Sequence, residues 1–252
     1  MIVIKNKSSI KKMEEAGTLL SGMFDNLKSI IDVGITTADI DAWIESELKK
    51  RGLLSRMKGY MGYAHVSCIS VNDEVVHGVP SQRALKDGDF VKVDVCASYK
   101  GYCADMARPF FIGEVSQEAK QLAKVAEQSL NAGIAKAVPG NRLSDISAAI
   151  QQVVEKAGFG VVRDFAGHGI GKQMHEDPEV LNYGASGKGP ILRSGMAFAI
   201  EPMITQGDYT VCITQDGWTV STQDGSLAAH VEDTVVITDR GPKIITRNSV
   251  HR

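Results

Sequence analysis

The chain has 252 residues, 43% of them apolar, with 28 basic and 30 acidic side chains and a formal net charge of −2. That is enough apolar material for one large domain with a sizeable core, and so balanced a charge excludes a general electrostatic attraction to nucleic acid or membrane. Apolar runs are too short to span a bilayer and Met1-Ile-Val-Ile-Lys5 meets a charge too early for a signal-peptide core, so a cytoplasmic protein is expected, with Cys68, Cys96, Cys103 and Cys212 as reduced thiols.

Apolar residues at helical spacing predict a first amphipathic helix from about Ile10 to Ile31. A second is expected between Gly34 and Leu53, with Thr37 near its start and Gly52 at the position after its C-cap. Lys49, Lys50, Arg51, Arg56 and Lys58 gather at its end and in the following loop. The simpler reading is a solvated end complementing the helix dipole; the functional reading is a transient contact with the ribosome. His77 follows in Val75-Val-His-Gly-Val-Pro80, beside a glycine and an apolar run. Phe90 to Val95 reads as a strand carrying Asp94, and a turn around Ser98-Tyr-Lys-Gly101 leads to a second strand carrying Asp105. Counting back from that turn puts Asp94 roughly opposite Asp105, on one face of a hairpin.

Two further helices are expected, about Gln117 to Ala137 and within Gly140 to Phe159, with Ser144 near the start of the second and Gly158 in the place of Gly52. His168 stands in Gly167-His-Gly-Ile-Gly171, where flanking glycines allow close backbone approach, and His175 stands in Met174-His-Glu-Asp-Pro178. Gly184 to Gly189 reads as a flexible surface loop. Glu201 ends the run Met196 to Ile200, and Glu232 opens the β-branched run to Ile237.

Asp94, Asp105, Glu201 and Glu232 therefore all sit in or at the ends of strands, where acidic residues are depleted and an unpartnered buried carboxylate is costly. A bound divalent cation is the economical explanation, since carboxylates are its usual hard ligands. Gly34 to Leu53 and Gly140 to Phe159 also align without gaps, with seven of twenty positions identical. Each helix pair is followed by a strand region with two of the four acids. The expected architecture is a single α+β domain over 1–252, built of two helix–helix–sheet halves, about 10–113 and 117–246, around a pseudo-two-fold that gathers the acids in one cleft. There is no G-x-S-x-G, no H-E-x-x-H, no C-x-x-C and no P-loop spacing.

Taken in order, Asn72-Asp-Glu-Val-Val-His77-Gly-Val-Pro80, Val93-Asp94-Val95, Ala104-Asp105, Gly167-His168-Gly169-Ile170-Gly171, His175-Glu176-Asp177-Pro178, Ala199-Ile200-Glu201-Pro202-Met203 and Val231-Glu232-Asp233-Thr234 resemble the type I methionine aminopeptidases, over about Ile10 to Thr246. The resemblance implies a pita-bread fold around a dinuclear metal centre. Asp94, Asp105, His168, Glu201 and Glu232 would hold two divalent ions (Co, Mn, Fe or Zn), with Asp105 and Glu232 bridging. His77 and His175 would be catalytic and substrate-binding without ligating metal. A methionine pocket would be lined by Tyr60, Tyr63, Cys68, Met174 and Trp218. The implied reaction removes the N-terminal methionine of nascent chains when the second residue is small. Two close ions would lower the pKa of a shared water, Glu201 would pass its proton to the leaving amine, and His175 would stabilise the oxyanion. The short bacterial-type form fits, as a monomer without specific nucleic-acid recognition.

Some residues depart from that pattern. Asp233 stands where type I enzymes usually have His, His230 where Gln is common, Met106 where Thr is common and Met174 where Phe is frequent. Asp233 is closer to the Glu-Asp pairs of proline-specific peptidases, so an Xaa-Pro aminopeptidase or prolidase is the same-class alternative, although the segment from Asn72 to Pro80 matches the methionine enzymes better. A catalytically silent binding protein of the same fold is the other alternative; it would be expected to lose ligands, whereas all five are present.

Overall fold

The computed structural model describes residues 1–247. Helix α1 (Lys7–Leu27) starts earlier than its apolar period suggests, because the Asn6 side chain accepts the Ser9 amide at 2.9 Å. It also ends earlier: Ile30 and Ile31 pack against the core from the turn that follows rather than from the helix. Helix α2 (Thr37–Lys50) is capped by Thr36 rather than Thr37. The Thr36 hydroxyl accepts the Asp39 amide while the Asp39 carboxylate accepts the Thr36 amide. Thr37 lies one residue inside and bonds Ser81 instead. Helix α3 (Gln117–Lys136) is capped by Ser116. In α4 (Leu143–Lys156), Asp145 accepts the Arg142 amide at 2.8 Å, the same service that Asp39 performs in α2. Gly52 and Gly158 end α2 and α4 at φ +68° and +83°, the left-handed geometry expected there. The segment from Gly184 to Gly189 is a loop, as expected, but it is tied down: Asp145 accepts from Ser186 and the Gly187 amide, and the Lys188 amide bonds Ser144.

The strands in chain order are β1 (Leu54–Ser55), β2 (Cys68–Val71), β3 (Glu74–Val76), β4 (Phe90–Tyr99), β5 (Tyr102–Phe111), β6 (Gly160–Val161), β7 (Gly167–Gly169), β8 (Glu176–Val180), β9 (Ala197–Ile200), β10 (Met203–Thr205), β11 (Val211–Ile213), β12 (Val220–Thr222), β13 (Ala228–His230), β14 (Glu232–Thr238) and β15 (Gly241–Ile244). A nine-stranded sheet runs β1-β4-β5-β14-β9-β7-β8, with β2 also paired to β4 and β15 to β14. Two three-stranded sheets, β13-β10-β6 and β11-β12-β3, complete the chain.

Side-chain alternation explains how this sheet positions its acids. In β4, Val91, Val93 and Val95 join Met13, Leu20, Ile40 and Ile44 of α1 and α2 in one core, while Lys92 and Asp94 alternate to the opposite face. In β14, Val235 and Ile237 join Leu122, Leu130, Ile146 and Ile150 of α3 and α4 in a second core, and Glu232 alternates to the other face. The helices thus cover one side of the sheet and the acids occupy the other. Among the described residues no helix is long and apolar enough to cross a membrane.

Candidate metal centre and substrate cleft

The sheet register brings three of the acids into one row. Asp94 of β4 and Glu232 of β14 both lie opposite Ala107 of β5, one from each side. Asp105 is two residues from Ala107 on the same face. Its own partner in β4 is Cys96, so Asp94 and Asp105 are diagonal neighbours rather than directly opposite. Asp233 pairs with Ile200 in β9, which brings Glu201, the next residue, beside Glu232. The small, buried side chain of Ala107 keeps the middle of this row clear. No sequence signal marked Ala107.

These carboxyl groups are deeply buried and poorly satisfied. Asp105 and Glu232 are 4% and 2% exposed. Asp105 Oδ1, Glu232 Oε1 and His230 Nε2 are buried without a hydrogen-bond partner among the described residues. Burial, reinforced by the neighbouring acids, lifts Asp105 to about 7 and drives Asp94 and Glu232 well above the usual carboxylate range. Burial lifts Glu201 to about 8. Orphaned acceptors and crowded acids are what a cation site looks like without its ions, and the donor set fits divalent metal. Among the described residues two groups have ligand atoms within 4.8 Å of one another: Asp105, His168 and Glu232, and Glu201, His230 and Glu232. Asp94 borders these groups without belonging to either.

His168 enters through β7, a strand squeezed between β8 and β9. A Cβ on Gly167 would lie 2.4 Å from Ala199 O, and one on Gly169 only 2.1 Å from Asp177 O, so both flanking glycines are required by close backbone approach. The ring bonds Gly169 O through Nδ1 at 2.9 Å, which makes Nδ1 the proton-bearing nitrogen. Nε2 is left to face Glu201 Oε1 at 3.5 Å and Asp105 Oδ2 at 3.9 Å. Burial pushes His168 down to about 3 and His77 and His230 to about 4, so all three are neutral near pH 7.

His77 and His175 belong to neither metal-type group. His77 sits at φ +59°, a strained conformation for a non-glycine residue, and stacks edge-on against Phe165 with ring centroids 5.6 Å apart. Gly78 after it is obligatory, since a Cβ there would lie 2.4 Å from Ile69 O. His175 packs against the His168 ring at 4.4 Å, and its Nδ1 lies 3.0 Å from the Tyr60 hydroxyl.

All twelve residues singled out from the sequence line one cleft of about 650 Å³: Asp94, Asp105, His168, Glu201 and Glu232, His77 and His175, and Tyr60, Tyr63, Cys68, Met174 and Trp218. Tyr63 and Trp218 meet edge to face at 5.0 Å, while Cys68 lies across the β2–β4 ladder from Asp94. Phe165, Met61 and Met57 also line the cleft and were not foreseen; only their contact with residues distant in sequence identifies them. Asp233 is on the other face. Fully buried, it accepts from Arg108 Nη2 at 2.5 Å, Thr246 Oγ1 at 2.8 Å and Arg247 Nε at 2.7 Å, so it answers to two arginines and not to the cleft.

The profile of metallopeptidase family M24 matches residues 11–239. A methionine aminopeptidase of Clostridium acetobutylicum is 51% identical over 98% of this chain and 99% of its own length. The crystal structure of methionine aminopeptidase from Thermotoga maritima superposes with a TM-score of 0.96 at 43% identity, covering 98% of this chain and 100% of that one. An Xaa-Pro dipeptidase from Bacillus anthracis shares the fold at a TM-score of 0.77 and 24% identity, with 97% of this chain matching 62% of that one.

Proposed function

This chain belongs to metallopeptidase family M24 and is a metalloaminopeptidase that removes N-terminal methionine, and we propose how its own residues do so. The fold is the pita-bread α+β arrangement, with a curled antiparallel sheet cradling the centre. The observation that carries the proposal is the set of buried, unpartnered ligand atoms on Asp105 and Glu232 in a cleft that Tyr63 and Trp218 also line.

Asp94, Asp105, His168, Glu201 and Glu232 would hold two divalent ions, of which Co, Mn, Fe and Zn all suit carboxylates plus imidazole. When bound, such ions polarise a carbonyl and make water nucleophilic near neutral pH. The chain's own groups do the rest. Glu201 lines the cleft and is the group suited to accept a proton and return it to the leaving amine. His175, held by the Tyr60 hydroxyl, donates to the oxyanion that develops on the scissile carbonyl. His77, fixed by its strained backbone and by Phe165, hydrogen-bonds the peptide at the second residue.

Specificity follows from two kinds of wall. Tyr60, Tyr63, Cys68, Met174 and Trp218 offer soft and aromatic surface to an unbranched thioether. Each matching methylene buried there stabilises binding by roughly 0.8 kcal/mol. His77, His175 and the metal cluster crowd the second position and leave room for little more than a methyl or hydroxymethyl group. Kinetics on Met-X-Ser with X as Gly, Ala, Val, Leu and Lys should show kcat/KM falling sharply beyond Ala, and Trp218→Ala should erode methionine preference more than metal content. Equal kcat/KM for Leu and Ala at X, or faster cleavage of Ala-Pro-Ala than of Met-Ala-Ser, would replace this reading with a proline-directed or broad peptidase. Asp233 no longer argues for that alternative, because it faces Arg108 and Arg247.

For a cytosolic enzyme acting on nascent chains, ribosome docking through Lys49, Lys50, Arg51, Arg56 and Lys58 is the remaining proposal. Three of these already pair locally, Lys50 and Arg51 with Glu47 and Lys58 with Glu45, which favours a solvated helix end. Salt-dependent co-sedimentation with ribosomes that survives charge reversal of all five removes the docking role.

A further inference from the structure

His230 ends β13, where it pairs with Met203 of β10, two residues beyond Glu201. The sheet therefore fixes its backbone next to the acid cluster. The side chain is 2% exposed and lines the same cleft. Its Nε2 is 3.3 Å from Glu201 Oε2, yet the two are misaligned for a hydrogen bond, and Nε2 has no other partner. A histidine whose task was to steady Glu201 would direct an N–H along that line. Instead a buried nitrogen is left unsatisfied, at a desolvation cost that a bound ion would remove.

The surroundings show where the ion would sit. A ring nitrogen of His230 lies within 4.8 Å of an oxygen of Glu201 and an oxygen of Glu232, as a ring nitrogen of His168 does with oxygens of Asp105 and Glu232. Glu232 belongs to both groups, and Glu201 has one oxygen turned toward each imidazole. The structure assigns His230 as a metal ligand, so that each of two cations is held by one imidazole, with Glu232 between them. This rests on the dinuclear reading above and adds a sixth protein ligand to it. Its chemical consequence is selectivity. An ion bound by oxygen alone suits Mg, Ca or Mn, whereas an added imidazole moves the second position toward Fe, Co and Zn.

Calorimetric titration of the metal-free protein with Co(II) tests the assignment. Wild-type protein should take up two ions. His230→Gln should weaken one site by more than about 100-fold, the upper end for residues that merely support a ligand, and leave the other unchanged. His168→Gln should weaken the opposite site. Glutamine can still hydrogen-bond Glu201, so two sites within about tenfold of wild type in His230→Gln would show a supporting role and overturn the assignment. A crystal structure of the Co(II)-loaded wild-type protein checks the same point without a substitution. An ion at ~2.1 Å from His230 Nε2 is expected, and a pair of ions that both leave Nε2 uncoordinated overturns it. Uptake of fewer than two ions by wild type would defeat the dinuclear reading and this assignment together, whereas two ions with His230 free would defeat the assignment alone.

Discussion

Asp94→Asn and Glu232→Gln should each reduce hydrolysis of Met-Ala-Ser to background and lower metal content. Each exchange removes a charge from a cluster buried away from water, at nearly constant volume, so lost ligation and not lost packing is what it reports. A bound cation supplies several kcal/mol of transition-state stabilisation, and a deficit of ~4 kcal/mol corresponds to about 10³-fold in rate. Near-normal turnover together with normal metal stoichiometry in either variant would sink the metal-centre reading. The same cluster sets the pH behaviour of the metal-free protein. Burial raises Asp105 to about 7 and Glu201 to about 8 above their unfolded values, so the folded state binds more protons. Their contribution to stability is then complete below about pH 4 and is lost as pH rises toward 8. Below about pH 6.5 the buried histidines, neutral in the folded state and charged in the unfolded one, offset this loss, so the melting temperature of the metal-free protein should fall between about pH 7 and 8, where divalent metal should restore it most. A metal-free melting temperature that rises from pH 7 to 8 contradicts the clustering.

His175→Ala should leave the metal in place and lower kcat by about 10²–10³, the usual loss for one oxyanion donor. The contact is made in the transition state, so kcat should fall more than KM rises. Geometry supports the separation of roles. His175 leans on the His168 ring and on the Tyr60 hydroxyl, outside both metal-type groups. Tyr60→Phe provides a graded companion, because it removes the partner of Nδ1 and keeps the imidazole; a smaller drop in kcat than His175→Ala is expected. Loss of metal in His175→Ala would make it a ligand and overturn its assignment.

Much of the site could be read from the chain because its signals are local. An acid inside an apolar, β-branched run is anomalous wherever the strand goes, and Asp94, Asp105, Glu201 and Glu232 were all visible on that ground. Glycines around His168 signalled close backbone approach, and the neighbouring strands that impose it are now identified. Gly52 and Gly158 located two helix ends from conformational preference alone. Helix starts are less marked in the chain, since Thr36 and Thr37 are equally able caps by type, and the cap is the one whose partner Asp39 is three residues on.

What the sequence by itself determined was therefore the kind of chemistry and the elements that bear it. Periodicity, turn residues and misplaced charge depend on a few neighbouring residues. What only the tertiary structure decided was which side chains meet, because strand register joins residues far apart in the chain and one step of register reverses a face. It set Asp94 diagonal to Asp105, with Cys96 in the opposite place. It turned Glu232 into the cleft and its neighbour Asp233 toward Arg108 and Arg247. It put Phe165 against His77, and His230 against Glu201. No local pattern carries such information, since each of these pairs is made by backbone hydrogen bonding and packing between segments that are separate in sequence.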